Sequence, residues 1–341
     1  MMTSTQQYRE VLGKLAREQD FHGAVRLSAA GEVVFEAAFG LADRRAARAN
    51  ELGSAFGIAS GTKVLTALAI ARLIDQGTFT REARFRDLVS ADLPLISPEV
   101  TIDHLLTHTS GVYDYYDEEL IEDFDNFVLP IATSKLLTPA DYVPMLAAGE
   151  MKFAPGERFS YSNSGYVLLG LVIAEQSGRS FHDYVTDEVL HPCEMSESGF
   201  FRFDALPAHA SLGYVENDDG VKTNETLLPM IGGPDGGAFT TVADFERLWR
   251  ALFDGRLLSS ALLDAFRERA KHYKDNTYYG RGLWIEDDGE TPRRWFVEGA
   301  DAGVSFKSTM FPGDLVATVM ANTSEGAWPI AKAIDDLVTT S

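Results

Sequence analysis

The chain has 341 residues, 45% of them hydrophobic and 24% charged, an ordinary composition for one large or two medium globular domains. Its formal net charge of −21 argues against nucleic acid or an anionic membrane as a partner. A single cysteine, Cys193, rules out an internal disulfide framework. Met1 to Gln7 lack the charged-then-apolar layout of a signal peptide, and the apolar run Val167 to Ala174 is far short of the ~20 residues of a membrane span. A soluble, cytoplasmic protein is expected.

Tyr8, Val11, Leu12 and Leu15 recur at helical spacing, which predicts an amphipathic helix over 6–18. Gly23 to Ala29 and Glu32 to Phe39 read as strands joined by a two-residue turn at Ala30-Gly31. A polar stretch then leads to Phe56-Gly57-Ile58-Ala59-Ser60-Gly61-Thr62-Lys63. From Val64 to Ala71 nearly every residue is apolar, so the helix there is expected to be buried all round, with Gly77 as its stop. In the middle of the chain, Thr101-Ile102-Asp103 begins a helix that runs through His108 and closes at Gly111. Thr138-Pro139 is an N-cap followed by proline at the first helical position. A helix from Tyr166 ends at Gly178, and Gly232 to Gly237 form a glycine-rich loop. Thr241 with Asp244 three residues on has the pattern of a capping box. The last hundred residues turn to strands at 282–286, 294–298, 304–311 and 315–321, then a helix over 327–338. Strand-rich ends and a helical middle predict an α/β domain built from 1–59 and 236–341, with 60–235 as an inserted, mainly helical domain.

Ser60 and Lys63 lie three apart at a helix start and share one face, so the lysine Nζ reaches back toward the serine Oγ. A serine hydroxyl is a weak nucleophile until a neighbour takes its proton, and a desolvated lysine can do so. Tyr161-Ser162-Asn163 opens the helix after Pro155-Gly156. A phenol beside an ammonium has its pKa lowered and can act as a base, while an asparagine steadies the lysine and a substrate amide. The competing reading is a turn with an N-capping serine. Phe296 to Gly303 sits between two strands, where Gly299 lets a backbone N–H near Asp301 approach the nucleophile as half of an oxyanion hole. An ordinary hairpin turn explains that stretch equally well.

Rival motifs are absent or weak. No serine sits in Gly-x-Ser-x-Gly, and Gly61-Thr62-Lys63 lacks the rest of a P-loop. His104 and His108 are four apart, but without an intervening glutamate they read as packing residues rather than metal ligands. The acidic run Asp114 to Asp125 reads as a solvated face, or alternatively as a lip of the cleft, and Cys193 as structural. No metal or cofactor is implied.

In that order, Ser60-x-x-Lys63, Tyr161-x-Asn163 and the late glycine-bearing strand edge resemble the serine β-lactamase and penicillin-binding protein superfamily. The resemblance is to its branch of class C β-lactamases, family VIII-type esterases and D-aminopeptidase-like hydrolases, and it covers about residues 20–335. His104 to Gly111, Phe153 to Gly156, Gly236 to Thr241 with Asp244, and Met310-Phe311-Pro312 fit the same pattern. It implies an antiparallel sheet flanked by the terminal helices, an added helical domain, and the serine in the cleft between. It further implies an acyl-enzyme mechanism with Ser60 as nucleophile, Lys63 and Tyr161 as the proton shuttle, and Asn163 positioning lysine and substrate.

One position departs from the family pattern. Where lysine or histidine usually begins the third motif, this chain has Glu298, which either meets the substrate or simply pairs with Lys63 or another cation. A carboxylate 4 Å from an anionic substrate costs up to ~4 kcal/mol at an effective dielectric of 20. A small ester, amide or short peptide that is neutral or carries an amine is therefore expected as substrate. An esterase or D-amino-acid-directed amidase or peptidase ranks ahead of a β-lactamase or DD-carboxypeptidase, and ahead of a non-hydrolytic protein that binds an envelope precursor.

Overall fold

The computed structural model describes residues 4–121, 128–217, 220–287, 289 and 292–339, so the end of the acidic run lies outside the described residues. Its centre is one antiparallel sheet of β1 (Gly23–Ala29), β2 (Glu32–Phe39), β3 (Lys271–Lys274), β4 (Thr277–Tyr279), β5 (Trp284–Asp287), β6 (Pro292–Asp301), β7 (Val304–Phe311) and β8 (Leu315–Ala321). Their order across the sheet is β2-β1-β8-β7-β6-β5-β4-β3. The two ends of the chain therefore meet inside the sheet, with Val25 opposite Val319. Ala30 and Gly31 both adopt positive φ, 48° and 85°, the conformation a two-residue turn needs to match the strand twist.

Helices α1 (Ser4–Glu18) and α5 (Ala327–Thr339) cover one face, where Leu12, Val25, Leu27, Val319 and Ile330 form a core. Against the other face pack α2 (Lys63–Asp75) and α4 (Val242–Phe253), with α3 (Asn163–Ser177) behind α2. The main core joins Val297, Phe306 and Met320 of the sheet to Val64, Leu68 and Val172 of the helices. This is the expected mixed α/β fold, an antiparallel sheet flanked by the terminal helices. Every residue of α2 from Lys63 to Ala71 is buried, so its apolar run is explained by burial all round rather than by one apolar stripe. Among the described residues no helix is long and apolar enough to cross a membrane.

Several boundaries shift for identifiable reasons. The first middle helix spans only Ile102–Leu106, because Thr107 leaves helical geometry and His108 takes φ 56°. Thr138 caps a 3₁₀ turn, Pro139–Tyr142, before a short helix. Helix α3 begins at Asn163, three residues before the expected Tyr166, because the Ser162 side chain accepts the Gly165 N–H and caps it. Thr241 accepts the Asp244 N–H, but the Asp244 carboxylate turns to Ser198 and the Glu197 N–H, so only half of the capping box forms. Short β3 and β4 were not expected; their Lys, His and Tyr residues carry no apolar alternation.

Candidate active site

The turn carrying Ser60 is a 3₁₀ segment, Ala59–Thr62, that runs directly into α2. Ala59 sits at φ 44°, a conformation that costs a non-glycine residue energy and is held here by its surroundings. The Thr62 hydroxyl donates to the Ala59 carbonyl, and the same oxygen atom of Thr62 accepts the Ala238 N–H, tying the turn to the glycine-rich loop. Gly299 on β6 passes so close beneath that a Cβ there would lie 2.2 Å from the Ile58 oxygen and 2.9 Å from the Ser60 nitrogen. Only glycine permits this approach. Strand β5 pairs with β6 only as far as Phe296, so residues 297–301 present an open backbone edge beside Ser60.

Lys63 lies beneath the serine, 2% exposed. Its Nζ is 3.0 Å from Ser60 Oγ, 2.7 Å from Asn163 Oδ1 and 2.7 Å from the backbone oxygen of Asp235. The Asp235 carbonyl can only accept, and Asn163 presents its amide oxygen, so each engages one N–H of the lysine. The third position around Nζ faces the serine, where a neutral amine would offer its lone pair to the hydroxyl. Burial lowers the Lys63 pKa, opposed by the Asp235, Glu118, Asp114 and Asp301 carboxylates. Asn163 itself is fixed: its Nδ2 donates to the Tyr116 oxygen at 2.9 Å and to Glu118 Oε1 at 3.3 Å.

Tyr161 lines the cleft together with Ser60, and its ring centroid is 4.8 Å from Lys63 Nζ. The ring stacks on Trp284 and packs 4.3 Å from the His108 ring. The expected lowering of its pKa does not occur. Burial first, then the Glu118 and Tyr279 neighbours, push the phenol well above its usual range. Tyr161 is therefore a neutral phenol, suited to giving a proton rather than to initiating its removal.

The acidic run is not a solvated face at its start. Asp114 is 4% exposed, accepts the Asn163 and Ser164 N–H groups at 2.8 and 3.0 Å, and so anchors the start of α3. Burial nevertheless raises its pKa to about 6. Asp117 is buried against Lys152, while Glu118 lies at the lip of the cleft. Tyr115 donates to the Asp235 carboxylate. Sequence reasoning missed Asp235, whose main-chain oxygen and carboxylate both serve the site; its place between paired glycines in the 232–237 loop was the available signal. His108 takes the packing and hydrogen-bonding role expected of it: its Nδ1 accepts the Ser162 N–H at 3.0 Å. His104 caps its own helix through the Thr101 N–H, so both histidines serve structure. Cys193 is buried, its thiol pushed up to about 12 by burial, and inert.

Glu298 stands opposite Lys307 across β6 and β7, and the two side chains pair at 3.3 Å. In the same row lie Val319 and Val25, which face the terminal helices. Glu298 thus points to that side of the sheet, while Val297 and Gly299 face the Ser60 turn. A wide cleft runs from Ser60 and Tyr161 over the β6 edge to Trp284, Phe296, Glu298 and Lys307. Asp301 lies on the other side of the open edge; burial, Asp235 and Glu118 raise its carboxyl to about 7, against Lys63.

Comparison with known proteins fits this geometry. A penicillin-binding protein of Bacillus halodurans of known structure superposes with a TM-score of 0.91 at 39% identity, covering 96% of this chain and 99% of that one. A penicillin-binding protein of Bacillus subtilis (strain 168) is 30% identical over 296 residues, 82% of this chain and 63% of its own length. Esterase EstB of Burkholderia gladioli is 33% identical over 211 residues, 58% of this chain and 53% of its own. The chain thus spans less than two thirds of the length of these curated relatives. The Beta-lactamase family model matches residues 8–337, and with the Ser60–Lys63 pair seated in the matching fold, the chain belongs to the Beta-lactamase family.

Proposed function

We propose that this protein is a serine esterase or D-amino-acid-directed amidase or peptidase that works through an acyl-enzyme on Ser60. The observation that carries this reading is the Lys63 ammonium site, with Nζ 3.0 Å from Ser60 Oγ and its other two directions held by Asn163 and the Asp235 oxygen. Burial biases Lys63 toward the neutral amine, which is the form that accepts the serine proton. Ser60 Oγ attacks the substrate carbonyl as its proton passes to Lys63 Nζ. The Ser60 N–H and an N–H of the open 299–301 edge hold the oxyanion. The proton then leaves Lys63 for the departing group through the Tyr161 hydroxyl, and the same pair activates water to release the acyl group. Catalysis takes place between the sheet unit of 1–59 and 236–341 and the helical unit of 60–235.

The charge around Ser60 disfavours an anionic substrate. Glu118, Asp235 and Asp301 line the space around Ser60, while Glu298 and Lys307 farther along the cleft are paired with each other. A panel of p-nitrophenyl esters, D-amino-acid nitroanilides and a chromogenic cephalosporin tests this. Ester or D-anilide turnover is expected; rapid cephalosporin turnover without esterase activity overturns the ranking, and turnover of none of them favours a binding protein.

A further inference from the structure

A second space opens from Ser60, on the side away from the wide cleft. Ser60, Asn163, Ala300 and Asp301 border its mouth. It continues past Asp235 and Asp301 into a small cavity of about 70 Å³ lined by Phe239, Val304 and Asn224. Its walls are partly apolar, yet its polar groups are of one kind. Asp235 and Asp301 contribute carboxylates, and Asn224, 2% exposed, contributes an amide oxygen that has no hydrogen-bond partner among the described residues. The Asn224 amide nitrogen is committed, donating to the Ala302 oxygen at 2.9 Å. Three of the other side-chain donors around the cavity are spent, Tyr115 on Asp235, Ser211 on Asn50, and Asn322 on the Leu41 and Leu212 oxygens, which leaves the Tyr142 hydroxyl.

A cavity whose side-chain acceptors outnumber its free donors suits a group rich in N–H. Enclosed carboxylates that share only the Lys63 charge are costly, and an orphaned buried amide oxygen adds to that cost. An ammonium, with three donors and a positive charge, answers both. The cavity is more enclosed than the wide cleft. The acyl half of a substrate stays attached to Ser60 until water releases it, and the leaving half must depart, so the more enclosed space suits the acyl half.

We propose that this cavity binds a primary ammonium on the acyl portion of the substrate, held by the Asp301 and Asp235 carboxylates and the Asn224 amide oxygen. The assignment to the acyl portion rests on the acyl-enzyme reading above; the ammonium site itself does not. Two measurements on the intact protein test it at pH 8. Calorimetric titration of the wild type with benzylamine and with benzyl alcohol reads the site directly, and about tenfold tighter binding of the amine is expected. The p-nitrophenyl esters of 4-(aminomethyl)benzoate and its uncharged isostere 4-ethylbenzoate read it in turnover, with about a thirtyfold higher kcat/KM for the ammonium ester. Asp301→Asn and Asn224→Leu each bring both ratios close to one. Equal binding of amine and alcohol by the wild type overturns the proposal, as does a ratio that both variants leave intact. Labelling of Ser60 by a fluorophosphonate separates the two readings. Labelling without amine selectivity refutes the cavity and keeps the nucleophile, and amine binding without labelling refutes the nucleophile and keeps the cavity.

Discussion

Two regions meet at Ser60, and they differ in how fully their polar groups are satisfied. On the α2–α3 side, Lys63 Nζ has three oxygen partners within 3.0 Å, Asn163 is held on both its amide atoms, and Asp114 accepts main-chain N–H groups at the α3 start. On the β6 side, the Asp301 carboxyl accepts the adjacent Ala302 N–H, and the Asn224 oxygen accepts from nothing among the described residues. The first region is finished before any ligand arrives, as a nucleophile and its base must be. The second is left incomplete, as a recognition pocket is. Catalysis demands fixed geometry; specificity demands acceptors that remain free.

The largest effects should come from the finished region. Ser60→Ala is expected to lower ester kcat by about 10⁴-fold or more, and Lys63→Met by about 10³-fold, in steady-state assays on folded protein. If Lys63→Met keeps wild-type kcat, the base is elsewhere. Tyr161→Phe should cost about 10²-fold in kcat, with little change in KM, because the phenol relays a proton and does not begin the reaction. A larger loss than Lys63→Met would reverse the two roles.

Gly299→Ala strikes the joint between the regions. The added Cβ meets the Ile58 oxygen at 2.2 Å, both backbones being locked, so about 1–3 kcal/mol of stability should be lost in urea unfolding, together with displacement of the Ser60 turn. A variant as stable and active as the wild type would show that the strand edge can move away.

Asp301 gives a pH signature to the unfinished region. Its pKa is raised to about 7 against the ordinary 3.8, so between about pH 4 and 7 the folded state holds a proton that the unfolded chain has lost. Stability from this group therefore falls as pH rises through that window. Asp301→Asn should melt above the wild type at pH 8, with the gap closing toward pH 5. A gap that is constant with pH would mean that the carboxyl does not titrate there. The smallest effect is expected at Glu298. Its pair with Lys307 is partly exposed, so Glu298→Gln should cost less than about 1 kcal/mol and leave kcat within about tenfold. A loss comparable to Ser60→Ala would make Glu298 a participant in deacylation.

Much of the finished region was legible in the sequence because it depends on local spacing. Lys63 follows Ser60 by three residues on a helix, and Asn163 follows Tyr161 by two at a helix cap, so each pair is brought together by short-range geometry. The order of segments along the chain, and the hairpins of both ends, carried the fold. What was not legible depends on long-range pairing. The orientation of Glu298 follows from its register opposite Lys307, which no local pattern specifies. The second acceptor for Lys63 is a main-chain oxygen of Asp235, and a backbone group has no side-chain signature. Asp114 looks like any acidic loop residue until α3 is seen to start against it. The phenol of Tyr161 was judged by its cationic neighbour, when burial and the Glu118 charge decide its pKa.

The central claim is that Ser60 is the nucleophile, and it has a direct measurement. Wild-type protein and Ser60→Ala are treated with a fluorescent fluorophosphonate, digested, and mapped by mass spectrometry. The account predicts one stoichiometric adduct on the peptide carrying Ser60 in the wild type and none in the variant. Equal labelling of both proteins, or an adduct on another serine, would contradict it.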